Sequence, residues 1–155
     1  MNIFVLDLDP KKCAQYHCDK HVVKMLLEHA QMMSTICRLQ GLDVGYKSTH
    51  ANHPCTIWAR ESMQNYVWLY TMNCYLNDEY KLRYNHTKNH KSFDLAEDLP
   101  VPNLPNIPMT PFVKAMKNFP ECYSIDDPVL AYRQYYMNHK RQFCAWKTEQ
   151  PAWFV

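Results

Sequence analysis

An acid, an imidazole and an amine recur at helical intervals in DKHVVKMLLEHAQMMSTICR, residues 19–38. His21, Lys24, Glu28, Gln31, Thr35 and Arg38 lie three, four or seven residues apart. On an α-helix those offsets stack side chains along one face, all leaning towards the helix N-terminus. A carboxylate grouped with an imidazole and an amine can move protons and support imine formation at a carbon centre. The same row also describes the wet side of any amphipathic helix, where Lys24–Glu28 is an ordinary i,i+4 pair contributing about 0.2–0.5 kcal/mol. Spacing alone leaves both readings open.

The segment that must carry this row has no Gly or Pro until Gly41, and Asp19 is suited to cap its start. Val22, Val23, Leu26, Ala30, Met33 and Cys37 form an apolar stripe beside the polar one. Ahead of it, Ile3 to Leu8 reads as an extended arm packed over helices, followed by a turn at Asp9-Pro10 and a short helix over 11–18. Behind it, a polar linker brings Thr49, His50, Asn52 and His53 to the doorstep of Pro54, which suits the first position of a helix. Polar side chains over the free N–H groups of a helix start can hold a phosphate or a carboxylate, or can simply cap the helix.

Residues 54–84 read as one long helix ending in a basic group that includes Lys81, Arg83 and Lys88. Pro100, Pro102, Pro105, Pro108 and Pro111 exclude a helix there, and the leucines and isoleucine between them suggest an ordered strap over 94–111. A short helix over 112–118 is expected next. Asp127-Pro128 then opens a last long helix, roughly 128–147, whose Arg133, Lys140 and Arg141 alternate with tyrosines as in a phosphate-contacting surface. The expected architecture is all-α: a single compact domain, residues 1–155, of three principal helices with a short N-terminal arm and a proline-rich strap.

Composition narrows the function classes. A chain of 155 residues with 47% hydrophobic and 21% charged residues suits one folded domain. Two glycines argue against a glycine-rich phosphate loop. The net charge of +2 does not by itself demand nucleic acid, although eight histidines would add positive charge in acid. No apolar run is long enough to span a membrane, and no signal peptide is evident. Seven cysteines, mostly among apolar neighbours, suit reduced thiols in a cytoplasmic setting. Cys13, His17, Cys18 and His21 invite a zinc reading, but the usual paired-cysteine spacing is missing, so neither metal nor other cofactor is expected.

Several short motifs together resemble the pyrimidine dimer DNA glycosylase family, of the phage endonuclease V type, in its poorly characterised bacterial and viral branches. They are Asp9-Pro10, Ala14, Asp19-Lys20-His21, Glu28, Gln31, Asn52-His53-Pro54, Trp58 and Glu79-Tyr80 with Arg83, with an echo in the tail QPAWF, residues 150–154. The resemblance implies a DNA N-glycosylase with abasic-site lyase activity on damaged or modified bases, working on double-stranded DNA in the cytoplasm, the host's for a phage protein. No membrane or obligate protein partner is implied. It makes Glu28 the catalytic glutamate and His21 its companion; Gln31, Asn52, His53 and Arg83 fall within the matched motifs, and the reading of the residues themselves adds Arg38, His50, Arg133 and Lys140 as expected substrate or phosphate contacts.

Two departures stand out. Leu27 occupies a position where the family carries arginine. The family's nucleophile is the α-amine of a threonine bared by removal of the initiator methionine, whereas this sequence begins Met1-Asn2, and asparagine disfavours that removal. The nucleophile is then the α-amine of Met1, if the arm ends beside Glu28, or the amine of Lys24. An α-amine suits the task because in free peptides its pKa is only about 7.7–8.0. Two other functions fit the same residues: a viral enzyme acting on a nucleotide or modified base, and a non-catalytic DNA-binding or phage–host interaction protein.

Overall fold

The computed structural model describes all 155 residues and contains helices but no strands. Seven α-helices are formed: α1 (Pro10–Tyr16), α2 (Asp19–Leu39), α3 (Pro54–Glu61), α4 (Met63–Arg83), α5 (Lys91–Glu97), α6 (Pro120–Tyr123) and α7 (Pro128–Tyr135). A π-helical turn, Tyr136–Lys140, prolongs α7. The sequence predicts three principal helices and two short ones; the structure has seven, and the differences have identifiable local reasons.

The predicted helix over 54–84 is broken at Ser62, whose extended backbone (φ −150°, ψ 155°) ends α3. Its side chain accepts from the Asn65 amide and so caps α4. Neither Gly nor Pro announces this break. Asn65 then bonds the Trp58 carbonyl, the Thr110 hydroxyl and the Thr110 amide, tying the proline-rich strap to the joint. At the other end of the chain, α7 starts where expected, with Asp127 accepting from Val129 and Leu130, but gives way to the π turn at Tyr136. Residues 112–118 are not helical, and α5 covers the first residues expected in the strap.

α2 is the hub. Thirteen of its 21 residues are buried, on every side, so it is a central helix rather than an amphipathic surface one. Its polar stripe is covered: His21, Glu28 and Thr35 are buried, Gln31 and Arg38 partly so, and only Lys24 is exposed. Asp19 lies inside the first turn instead of capping it, and its amide donates to the Ala145 carbonyl.

The cover over His21 and Glu28 comes from the amino-terminal arm, and that over Thr35 and Arg38 from the linker after Gly41. Asn2, Ile3, Phe4, Val5 and Leu6 are all buried. An arm without a neighbouring strand must find other partners for its backbone. The Leu6 carbonyl accepts from Arg133, the Phe4 carbonyl from the Cys13 thiol, and the Leu6 amide donates to Cys13 Sγ. The carboxyl-terminal segment closes the other side, with Trp146 Nε1 donating to the Tyr16 carbonyl and Phe154 buried.

Candidate active site

The arm ends at Glu28. The α-amine of Met1 lies 2.9 Å from Glu28 Oε1, and the Lys24 amine is 3.9 Å from Oε2. The Met1 side chain is only 3% exposed although the residue as a whole is not buried, so its solvent-facing part is the main-chain end that carries the amine. The Glu28 side chain is 10% exposed and that of Lys24 is 67% exposed. One amine is therefore anchored at the carboxylate, while the other reaches it from solvent.

Asn2 sets the position of that terminus. Its Oδ1 accepts from the Tyr132 hydroxyl at 2.8 Å and from the Ile3 amide, with the Cys55 thiol at 3.8 Å. Tyr132 is itself fixed, accepting from the Ala115 amide. Sequence reasoning missed both residues. The available signal was Asn2 itself, one polar residue at the head of an otherwise apolar run.

His53 is the third member. Its Nδ1 accepts from the Cys55 amide, capping α3, which places the proton of the neutral ring on Nε2. Partial burial holds its pKa below the ordinary value, helped by the positive terminus of Met1 and by His50, while Glu28 works the other way. His50 is exposed, in left-handed backbone (φ 50°), its ring 6.5 Å from that of His53 and its Nδ1 on the Thr49 hydroxyl. Asn52 is exposed beside them. The loop is pinned to α2 by a reciprocal pair of bonds between the Thr35 hydroxyl and the Thr49 backbone, and to α3 by Arg60 on the Ala51 carbonyl.

A cleft of about 260 Å³ opens at His53 and Pro54 and is walled by Lys114, Lys117, Phe119 and Tyr135. Its far wall is reached from the terminus through Asn2, Tyr132 and Ala115. A larger cavity, about 410 Å³, lies between α1, α4 and the tail, away from these groups.

The remaining expected residues lie elsewhere. His21 is two helical turns from Glu28, about 10 Å of rise, with its ring stacked on Phe4 and Nδ1 bonded to the Tyr136 hydroxyl at 2.6 Å. Beside it Cys144 holds the Cys18 thiol below the ordinary thiol range. Arg38 binds the linker through the Tyr46 and Gly45 carbonyls and Asp43. Arg83 has its five N–H donors on Glu79, His17, Asp19 and Gln15. Arg133 holds Leu6 and Asp7 and lies over the rings of Tyr16 and Trp153. Lys140 covers Tyr135 and Phe143, and Gln31 is half-buried on α2. Of the four residues Cys13, His17, Cys18 and His21, the Cys13 thiol is on the Phe4 carbonyl and His17 Nδ1 on the Cys13 carbonyl, while the Cys18 amide and His21 Nδ1 meet at the Tyr136 hydroxyl.

The family model described as pyrimidine dimer DNA glycosylase matches residues 1–92, which include the terminus, Glu28 and His53. No curated protein and no solved structure matches the chain.

Proposed function

The chain belongs to the pyrimidine dimer DNA glycosylase family, and from that premise we propose that it is a DNA N-glycosylase with abasic-site lyase activity towards a damaged or modified base. The observation that carries this reading is the 2.9 Å contact between the Met1 α-amine and the buried carboxylate of Glu28. It supplies an amine nucleophile and an acid/base group at one point, with the amine end facing solvent.

In the proposed reaction Glu28 takes a proton from the ammonium, and the freed amine attacks C1′ of the deoxyribose. The N–C1′ bond forms as the bond to the base breaks. The base leaves with the bonding pair and acquires a proton. Protonation of the ring oxygen by Glu28 opens the sugar to an imine. Loss of a 2′ proton expels the 3′ phosphate, and water then hydrolyses the imine to restore the amine. The chemistry is balanced without an oxidant or a metal. Extrusion of the target nucleotide would bring C1′ to the terminus. His53, His50, Asn52 and Lys24 are then placed to meet flanking phosphates, with Gln31 and Lys140 as outer contacts.

The test is borohydride trapping with abasic, ultraviolet-damaged and undamaged duplexes. The expected result is a covalent adduct that maps to the α-amine of Met1 and is confined to the first two substrates. Glu28→Gln should abolish turnover while sparing DNA binding; retained turnover in this variant would overturn the assignment. An adduct on Lys24 would move the nucleophile to the other amine.

A further inference from the structure

Apart from this site, the structure brings a thiol, an imidazole and a carboxylate together at Glu121, Cys122 and His139. Glu121 and Cys122 are consecutive residues of α6, and His139 comes from the π turn after α7. One donor atom from each lies within 4.8 Å of the other two. His139 Nε2 is hydrogen-bonded to Glu121 Oε1, and the Cys122 thiol is 3.8 Å from the same carboxylate oxygen. Asn138 approaches the sulfur through its side-chain amide at 4.0 Å. We propose that Glu121, Cys122 and His139 bind a divalent transition-metal ion, Zn²⁺ before others, which ties α6 to the end of α7.

The donor set is the reason. Sulfur, imidazole nitrogen and carboxylate oxygen are the three ligand types Zn²⁺ takes, and three protein ligands leave a fourth tetrahedral position for water. Thiolate and carboxylate together offset the two positive charges of the ion, so a half-buried site carries no net charge. The donors differ in access: Cys122 is fully buried, whereas the side chains of Glu121 and His139 are 49% and 27% exposed, leaving a route for the ion. The π turn is what brings the ligand in. It holds one more residue than an α turn, which rotates the side chains beyond Tyr136 away from the register of α7. In ligation the thiol proton passes to solvent as the metal–sulfur bond forms, and the proton that His139 Nε2 shares with Glu121 moves to Nδ1 through solvent, freeing the Nε2 lone pair for the ion.

The site has a consequence for the cleft. The Phe119 ring lies 3.8 Å from that of His139 and 5.4 Å from that of Tyr135, and both Phe119 and Tyr135 line the cleft at His53. A bound ion fixes that wall. The proposal does not depend on the roles assigned to Met1 and Glu28.

The test is titration of reduced, metal-stripped full-length protein with Co²⁺, followed by displacement with Zn²⁺. A near-ultraviolet thiolate-to-cobalt absorption and tetrahedral visible bands are expected in the wild type, with a rise in melting temperature on adding Zn²⁺. Cys122→Ser should lose the charge-transfer absorption. His139→Gln, a change at a partly exposed position that spares the core, should bind Co²⁺ at least about 100-fold more weakly. Absence of the absorption in the wild type overturns the proposal. So does an absorption that survives both substitutions, which would place the metal on another thiol such as the Cys18–Cys144 pair.

Discussion

Two buried charge centres flank α2, and they are finished to different degrees. At its start, Arg83 has no exposed side-chain surface and its five N–H donors meet Glu79, Asp19 and the carbonyls of Gln15 and His17. Three helices are locked by one guanidinium. Two turns further on, Glu28 is nearly as buried, yet its carboxylate meets only the Met1 amine and the distant Lys24, with no backbone or neutral side-chain donor. A saturated centre serves the fold because nothing can be added to it. An unsaturated carboxylate holding a mobile proton source is costly to keep and suits chemistry that a ligand completes.

Arg83→Met should break the first centre and give the largest stability effect. Removing one partner strands Asp19 and Glu79, and a loss of about 3–5 kcal/mol is expected in denaturant titration. Glu28→Gln should cost no more than about 1 kcal/mol, since its partner amine can turn to water. Equal losses would erase the distinction between the two centres.

Acid should act beside both centres in the same direction. His29, adjacent to Glu28 and fully buried, is held at about 4 by burial, opposed by its bond with Asn73 and by Glu28. His17, whose carbonyl serves Arg83, is also held well below 6.5, chiefly by burial. For both, the folded state favours the neutral ring. The unfolded chain therefore takes up protons below pH 6.5 that the folded chain refuses, and stability falls as pH drops through 6.5 towards 4. For His29 alone the loss grows to about 3 kcal/mol once the pH is below about 4, where both states carry the proton. Stability measured at pH 7 and pH 5 should differ less in His29→Gln than in the wild type, and an unchanged pH slope would refute the assignment.

The two centres were also unequally legible. The helix bearing Glu28 and the Pro54 helix start are visible in the sequence because periodicity, Gly41 and Pro54 are local signals. The arm is visible as an extended apolar run, and its end beside Glu28 is one of two routes to an amine. The breaks at Ser62 and Tyr136 are not visible, since an extended serine and a π turn are stabilised by residues distant in sequence, such as Pro105 for the amide of Met63. Arg38, Arg83 and Arg133 look like phosphate ligands because composition cannot distinguish a guanidinium facing solvent from one closed on carbonyls. Asn2 and Tyr132, 130 residues apart, illustrate the same limit.

That pair offers a finer test of the unsaturated centre. Tyr132→Phe removes the hydroxyl that donates to Asn2 and accepts from Ala115, leaving the Asn2 carbonyl oxygen and the Ala115 amide short of a partner. The expected cost is about 1–3 kcal/mol. A purely structural role would stop there. If the bond positions the terminus, the yield of borohydride adduct at Met1 should also fall in protein that remains folded, with DNA binding unchanged.

Lys24 carries the smallest expected effect and the sharpest contrast. Its amine lies within reach of the same carboxylate as Met1, but at 3.9 Å instead of 2.9 Å and on a side chain that is 67% exposed. Solvent screens such a pair, and holding the long side chain in one rotamer costs entropy, so Lys24→Ala should change stability by less than about 0.5 kcal/mol. The Lys24 amine also swings freely in solvent, whereas the α-amine is held at the carboxylate by the buried arm behind it. Lys24→Ala should therefore leave the adduct at Met1 intact and weaken DNA binding only modestly, the more so at low salt where a phosphate contact counts most. Loss of the adduct would reverse the roles of the two amines and make the buried terminus a structural partner of Glu28, as saturated in effect as the centre around Arg83.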